Sequence, residues 1–207
     1  MFSKLQYISQ GVTAKDQLNN IQEALDAGCE WIQLRFKNAD EQEIKTIGEE
    51  VKKICATYNA TFIINDHPHI AKEIDADGVH LGLNDMPVTE AREILGNKLI
   101  GGTANTLEDI LKRVYEGCNY IGLGPLRFTT TKEKLSPILG LEGYKKIMDE
   151  MKQRQIIIPV YAIGGITGND IASLMQSEIY GVAVSGVITN HSDKRYLIKE
   201  LNSALYE

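Results

Sequence analysis

The run TFIINDHPHIAKEIDADGVHLGLNDMPVTEAREILGNKLIGGTANTLEDILKRV, residues 61–114, decides the fold. Three short apolar, β-rich pieces stand in it: Thr61–Asn65, Gly78–Leu81 and Leu99–Gly102. Each is followed by helical character. Pro68–Ile74 is short, Val88–Leu95 has Gly96 placed to end it, and Leu107, Ile110, Leu111 and Val114 repeat at i, i+3, i+4, i+7. Thr106 and Asp109 have the spacing of a capping box at the start of that third helix. Strand and helix in this rhythm describe a parallel sheet whose crossovers pack outside it.

Outward from this run the rhythm continues both ways. Leu5–Ser9 and Trp31–Arg35 precede it, and Tyr120–Leu123, Val160–Gly164 and Tyr180–Ser185 follow, so eight strands are expected. Asp40 and Glu43 make a second capping box ahead of the apolar face Ile44, Ile47, Val51 and Ile54, and further helices are expected over Leu141–Met151, Asn169–Gln176 and Lys194–Leu205. No Pro/Gly/Ser linker interrupts the 207 residues, so one domain spanning residues 1–207 is expected. The fold class is therefore α/β, a (β/α)₈ TIM barrel of minimal size, since such barrels begin at about 200 residues. An open nucleotide-binding sheet would want a glycine fingerprint after its first strand. Tyr7–Thr13 holds only Gly11, and Gly122-Leu-Gly124 lacks the third glycine.

Apolar residues make up 43% and charged residues 24% of the chain, the balance of a folded globular protein. With a net charge of −6 and no Lys/Arg stripe interleaved with aromatics, nucleic acid is not an expected partner, and any affinity for phosphate must come from local donors or a metal. Cys29, Cys55 and Cys118 are odd in number and sit in apolar patterns, which reads as reduced packing cysteines and a cytoplasmic location. No leader-like start and no apolar run approaching 18 residues is present, so neither secretion nor a membrane span is expected.

In such a barrel the strand C-terminal ends and the loops after them carry the chemistry. Gln33, Arg35 and Lys37 alternate, so an extended segment would present amide, guanidinium and ammonium on one face to an anion. Asp66 and Asp85 follow adjacent strands. Each alone could cap a helix; as a pair they suit Mg²⁺ that also ligates substrate phosphates. His67 and His69 read as solvated residues at a helix start, His191 as surface, and His80 is open between the barrel mouth and the core. The long polar loop within residues 120–140 gathers Thr129, Thr130, Thr131 and Lys132, a phosphate grip expected to behave as a lid ordered by ligand. Gly164-Gly165 and Ser185-Gly186 end the last two strands, where backbone N–H groups can cradle a phosphate, or where tight turns need glycine. No nucleophile, base and orienting group stand in a recognisable arrangement. Two anion sites suggest one substrate with a diphosphate leaving group and another with a monophosphate.

An ordered set of segments carries a resemblance along nearly the whole chain: QLRFK at 33–37, INDHPHIA at 64–71, ADGVHLGLND at 76–85, IGGTAN at 100–105, YIGLGP at 120–125 with TTTK at 129–132, AIGGI at 162–166 and VAVSGVI at 182–188. Together they resemble the thiamine phosphate synthase family. That resemblance implies a Mg²⁺-dependent transferase joining 4-amino-2-methyl-5-(diphosphooxymethyl)pyrimidine to a (carboxy)thiazole phosphate with release of diphosphate. Under it Gln33, Leu34, Arg35, Phe36, Lys37, Asn65, Thr103 and Lys132 hold the pyrimidine diphosphate, and Asp66 and Asp85 the Mg²⁺. Thr129, Thr130, Thr131, Gly165, Val184 and Ser185 hold the thiazole phosphate, with Arg35 and Lys132 stabilising the departing diphosphate. Partners would be these small molecules, with a homo-oligomer left open.

The chain departs from the family pattern at Thr103 for serine, Asn105 for histidine, Leu83 for glutamine, and Arg127-Phe128 for Phe-Pro, the last adding a cation near a phosphate. Two alternatives stand beside this reading. One is a thiazole tautomerase, disfavoured by Asp66, Asp85, Lys132 and Pro125; the other is a non-catalytic barrel that binds a phosphorylated ligand.

Overall fold

The computed structural model describes residues 2–37, 39–128 and 137–207. Eight parallel strands, β1 (Leu5–Ile8), β2 (Trp31–Leu34), β3 (Thr61–Asn65), β4 (Gly78–Leu81), β5 (Leu99–Ala104), β6 (Tyr120–Leu123), β7 (Val160–Ile163) and β8 (Gly181–Val184), pair in sequence order. β8 closes on β1 with Leu5 opposite Val182 and Tyr7 opposite Val184, so the sheet is a closed barrel. Every expected strand is present, with ends shifted by two residues at most.

The helices pack outside: α1 (Ala14–Asp26), α2 (Glu41–Thr57), α3 (Pro68–Glu73), α4 (Val88–Leu95), α5 (Leu107–Tyr115), α6 (Gly140–Gln153), α7 (Ile171–Gln176, after a 3₁₀ turn Gly168–Asp170), α8 (Gly186–Thr189) and α9 (Lys194–Tyr206). Both expected capping boxes form. The Asp40 carboxylate accepts from the Glu43 N–H at 2.9 Å, and Thr106 Oγ1 accepts from the Asp109 N–H at 3.1 Å. Helices α1 and α8 were not expected from the sequence. Asn19 and Asn20 weaken the helical signal of α1, although its Thr13/Asp16 capping box and the spacing of Leu18, Ile21 and Leu25 betray it. At four residues, α8 is too short to have a period.

Period two along each strand sorts the barrel into two cores. Outward residues such as Leu34, Ile64, Val79, Ile121 and Val184 pack with the helices. Inward, Ile8, Trp31, Ile63, Tyr120, Tyr161 and Ala183 form a separate cluster. Trp31 meets Tyr120 and Tyr161 edge-on, with ring centroids 5.0 and 5.2 Å apart, and plugs the lower barrel. Space for this comes from glycine. A Cβ on Gly101 would lie 2.1 Å from Tyr120 Cζ, and one on Gly122 would lie 3.0 Å from His80 Cε1.

Cys29 and Cys55 are buried and Cys118 is half-buried, all unbonded to one another. Burial raises their pKa values to about 11, 12 and 11, so these thiols stay protonated and pack as apolar groups. Among the described residues no helix is long and apolar enough to cross a membrane.

Candidate active site

Above the aromatic plug a polar column climbs to the barrel mouth. Gln6 Nε2 donates to Tyr120 Oη at 3.4 Å, Tyr120 Oη lies 3.1 Å from His80 Nδ1, and His80 Nε2 lies 3.1 Å from Thr103 Oγ1. His80, open from the sequence, therefore points into the barrel. The direction of the two bonds at His80 follows its tautomer, since a neutral imidazole donates through one nitrogen and accepts through the other.

The ends of β2, β3 and β4 gather charge beside this column. Gln33 is buried inside the barrel, and its Nε2 donates to Asn65 Oδ1 at 2.7 Å. Gln33 Oε1 is buried with no partner among the described residues, so an unused acceptor sits under the mouth. The Arg35 N–H donates to Ser9 Oγ at 3.0 Å. Burial lowers the pKa of its guanidinium, and the charges of Asp66 and Asp85 push it back up.

Asp66 adopts φ +67°, a left-handed conformation, and its N–H donates to the His80 carbonyl at 2.9 Å. Its side chain hydrogen-bonds Asp85. Burial raises the Asp66 pKa well above the carboxylate range, followed by that hydrogen bond and the Asp85 charge, while Arg35 opposes the shift. Helix capping does not explain the residue, since His67 is the N-cap of α3 and makes no side-chain cap. Asp85 does stabilise its own turn, its Oδ2 accepting from the Gly82 N–H at 2.5 Å. Among the described residues no three His, Cys, Asp or Glu side chains converge into a group that could hold a metal ion.

Across the mouth lie the ends of β6, β7 and β8. Gly164 and Gly165 have φ +90° and +73°, as the turn reading requires. A Cβ on Gly165 would lie 2.4 Å from Arg127 Cγ. The Leu126 and Arg127 N–H groups donate to Ile163 and Gly164 carbonyls at 3.0 and 3.1 Å. Ser185 Oγ donates to the Ile8 carbonyl at 2.6 Å, tying β8 to β1. The neck of the long loop is closed by Leu139 and Gly140 N–H groups donating to Pro125 and Leu126 carbonyls at 3.0 and 3.1 Å. Thr129, Thr130, Thr131 and Lys132, and with them the lid, lie outside the described residues.

The structure brings Gln33, Arg35, Asn65, Asp66, Asp85 and Thr103 to one side of the mouth and Gly165 and Ser185 to the other. It corrects the strand-two alternation. β2 ends at Leu34, so Arg35 and Lys37 both lie beyond the strand, and Lys37 stands exposed in a turn. Leu34 and Val184 turn their side chains into the helix-facing core, so only their backbones can face a ligand, while the half-buried Phe36 packs against that core. The extra cation expected at Arg127 is engaged, its guanidinium gripping Asp170 through two bonds of 2.6 Å.

Sequence reading missed two supports, Arg113 and Tyr144, and gave Asn105 no structural role. Arg113, buried on α5, donates to the Gly82 carbonyl at 2.7 Å and the Thr103 carbonyl at 3.3 Å, bracing the turn that carries Asp85. Asn105 Nδ2 donates to the Gly124 carbonyl, and Tyr144 Oη to the Leu123 carbonyl. A basic residue inside the amphipathic period of α5 is the one signal that marked Arg113.

Comparison with known proteins follows the same lines. Residues 6–188 match the profile of the family described as Thiamine monophosphate synthase. The thiamine-phosphate synthase of Flavobacterium johnsoniae is 60% identical over 207 residues, covering 100% of this chain and 98% of that protein. That of Pyrococcus furiosus is 35% identical over 201 residues, 97% and 94% of the two chains. The solved thiamine phosphate pyrophosphorylase from Pyrococcus furiosus superposes with a TM-score of 0.85 at 33% identity, covering 98% of this chain and 95% of its own. A 3-hexulose-6-phosphate synthase structure, at 15% identity and TM-score 0.74, shares the barrel alone.

Proposed function

The chain belongs to the thiamine monophosphate synthase family, and from that premise we propose that it joins 4-amino-2-methyl-5-(diphosphooxymethyl)pyrimidine to a (carboxy)thiazole phosphate, releasing diphosphate. The observation that carries the reading is the Asp66–Asp85 carboxyl pair beside Arg35, separated across the mouth from the glycine turn of β7. Two carboxyls within hydrogen-bonding reach, one with its pKa raised by burial and by the other's charge, are a donor set that a hard divalent cation satisfies. Asp66 and Asp85 would hold Mg²⁺, which when bound supplies positive charge to the leaving diphosphate.

The chain's own residues do the rest. Arg35, with Lys132, neutralises charge as the C–O bond to diphosphate breaks. Gln33 Oε1, buried without a partner among the described residues, accepts from the aminopyrimidine, and the Thr103 hydroxyl, already bonded to His80, contacts the same ring. The aminopyrimidine delocalises the resulting cation, so no protein nucleophile is needed. The thiazole nitrogen then forms the new C–N bond, and a carboxylated thiazole loses CO₂. Gly165 and Ser185, with Thr129 to Thr131, hold the thiazole phosphate so that this nitrogen faces the cation.

A coupled diphosphate-release assay tests the reading. Release should require both substrates and stop with EDTA. Thiazole isomerisation without diphosphate release would instead mark a tautomerase, and tight binding without turnover a ligand-binding barrel.

A further inference from the structure

We infer that Arg127 and Asp170 form a latch that sets the shape of the β7 glycine turn, which makes Arg127 a positioning residue for the monophosphate substrate. The inference rests on the reading above, in which that turn receives the thiazole phosphate. Three successive carbonyls of the turn are held from the root of the β6 loop. Ile163 O accepts from Leu126 N–H at 3.0 Å, Gly164 O from Arg127 N–H at 3.1 Å, and Gly165 O from the Arg127 guanidinium at 2.7 Å.

Because each peptide is planar and trans, fixing a carbonyl also fixes the N–H of the next residue in the opposite direction. Holding Gly164 O and Gly165 O toward the β6 loop therefore turns the N–H groups of Gly165 and Ile166 away from it. Two consecutive glycines at positive φ have no Cβ to restrict them, so this orientation needs an external restraint.

The restraint is itself braced. Asp170 takes both guanidinium nitrogens in a fork at 2.6 Å each, and its Oδ2 also accepts from the Thr167 N–H and hydroxyl at 2.7 Å each. The Arg127 side chain is 46% exposed and that of Asp170 only 11%, so the carboxylate is the fixed half of the pair. An ordinary surface ion pair has neither the third bond to backbone nor the buried anchor.

Arg127→Ala, Arg127→Lys and Asp170→Asn, made in the full chain, test the latch by two readouts. In Arg127→Ala and Asp170→Asn the KM for thiazole phosphate should rise about tenfold, while that for the pyrimidine diphosphate stays within about twofold. Arg127→Lys should recover part of the loss, because a point charge replaces the fork. Amide exchange at Gly165 and Ile166 should quicken in the ligand-free Arg127→Ala protein, with Ile32 and Val79 unchanged as folding controls. An equal rise in both KM values, or exchange unaltered at the turn, overturns the latch. If the unmodified chain releases no diphosphate, the proposed function fails separately, and exchange alone decides the latch.

Discussion

Gly165 carries two constraints that a strand-ending glycine in a sequence does not reveal. Its φ of +73° disfavours any L side chain, at a cost of about 1–2 kcal/mol. Independently, a Cβ would press on Arg127 Cγ at 2.4 Å and so disturb the guanidinium that holds the turn. Gly165→Ala should therefore lower unfolding stability by at least that amount and raise the KM for thiazole phosphate well above its effect on the pyrimidine diphosphate. Urea denaturation and steady-state kinetics check the two halves. Equal KM effects would reduce Gly165 to a turn residue.

Between elements, the site depends on side chains that cross from one βα unit to its neighbour. Arg113 braces the β4 and β5 ends from α5, and Asp170 anchors the β6 loop to the turn before α7. The Arg127 guanidinium, with lesser help from Thr167, holds the Asp170 pKa down from 3.8 to about 2. A depressed carboxylate pKa contributes stability that is present above the unfolded value and is lost as pH falls through the folded one. Stability should therefore decline between about pH 4 and pH 2 partly through this pair. Asp170→Asn should be less stable than the parent at neutral pH and should show a shallower acid loss over that window. Denaturation midpoints measured along the pH series decide it; parallel curves would remove Asp170 from the acid transition.

For the whole molecule, closure gives ligands purchase on global stability. β8 pairs with β1, and α9 returns to the chain start, where the Lys4 N–H donates to Tyr206 Oη at 3.0 Å. Candidate site residues come from β2, β3, β4, β5, β7 and β8, so unfolding any part of the ring disperses them. Mg²⁺ with diphosphate at about 100 times its Kd should add about 2.7 kcal/mol. In a chain of this length that is a Tm increase of roughly 5–10 °C. Asp66→Asn with Asp85→Asn should abolish the part of the increase that depends on Mg²⁺. A thermal-shift titration with and without the metal reads this directly, and an unchanged shift in the double variant would leave the carboxyl pair without a metal role.

By itself the sequence determined the alternating strands and helices, both expected capping boxes and the polar strand ends, because these depend on period, propensity and short spacings carried within a single element. It also brought Gln33, Arg35, Asp66 and Asp85 to attention, since polar residues at the ends of apolar strands stand out locally. Only the tertiary structure decided which way His80 points, that Lys37 lies beyond the strand, that Leu34 and Val184 face the helices, and that Arg113 and Arg127 serve as braces. Those outcomes depend on which residues meet across the closed ring, such as Tyr120 against His80 or Asp170 against Arg127. Such pairs lie some forty residues apart in the chain and meet only once neighbouring strands have paired.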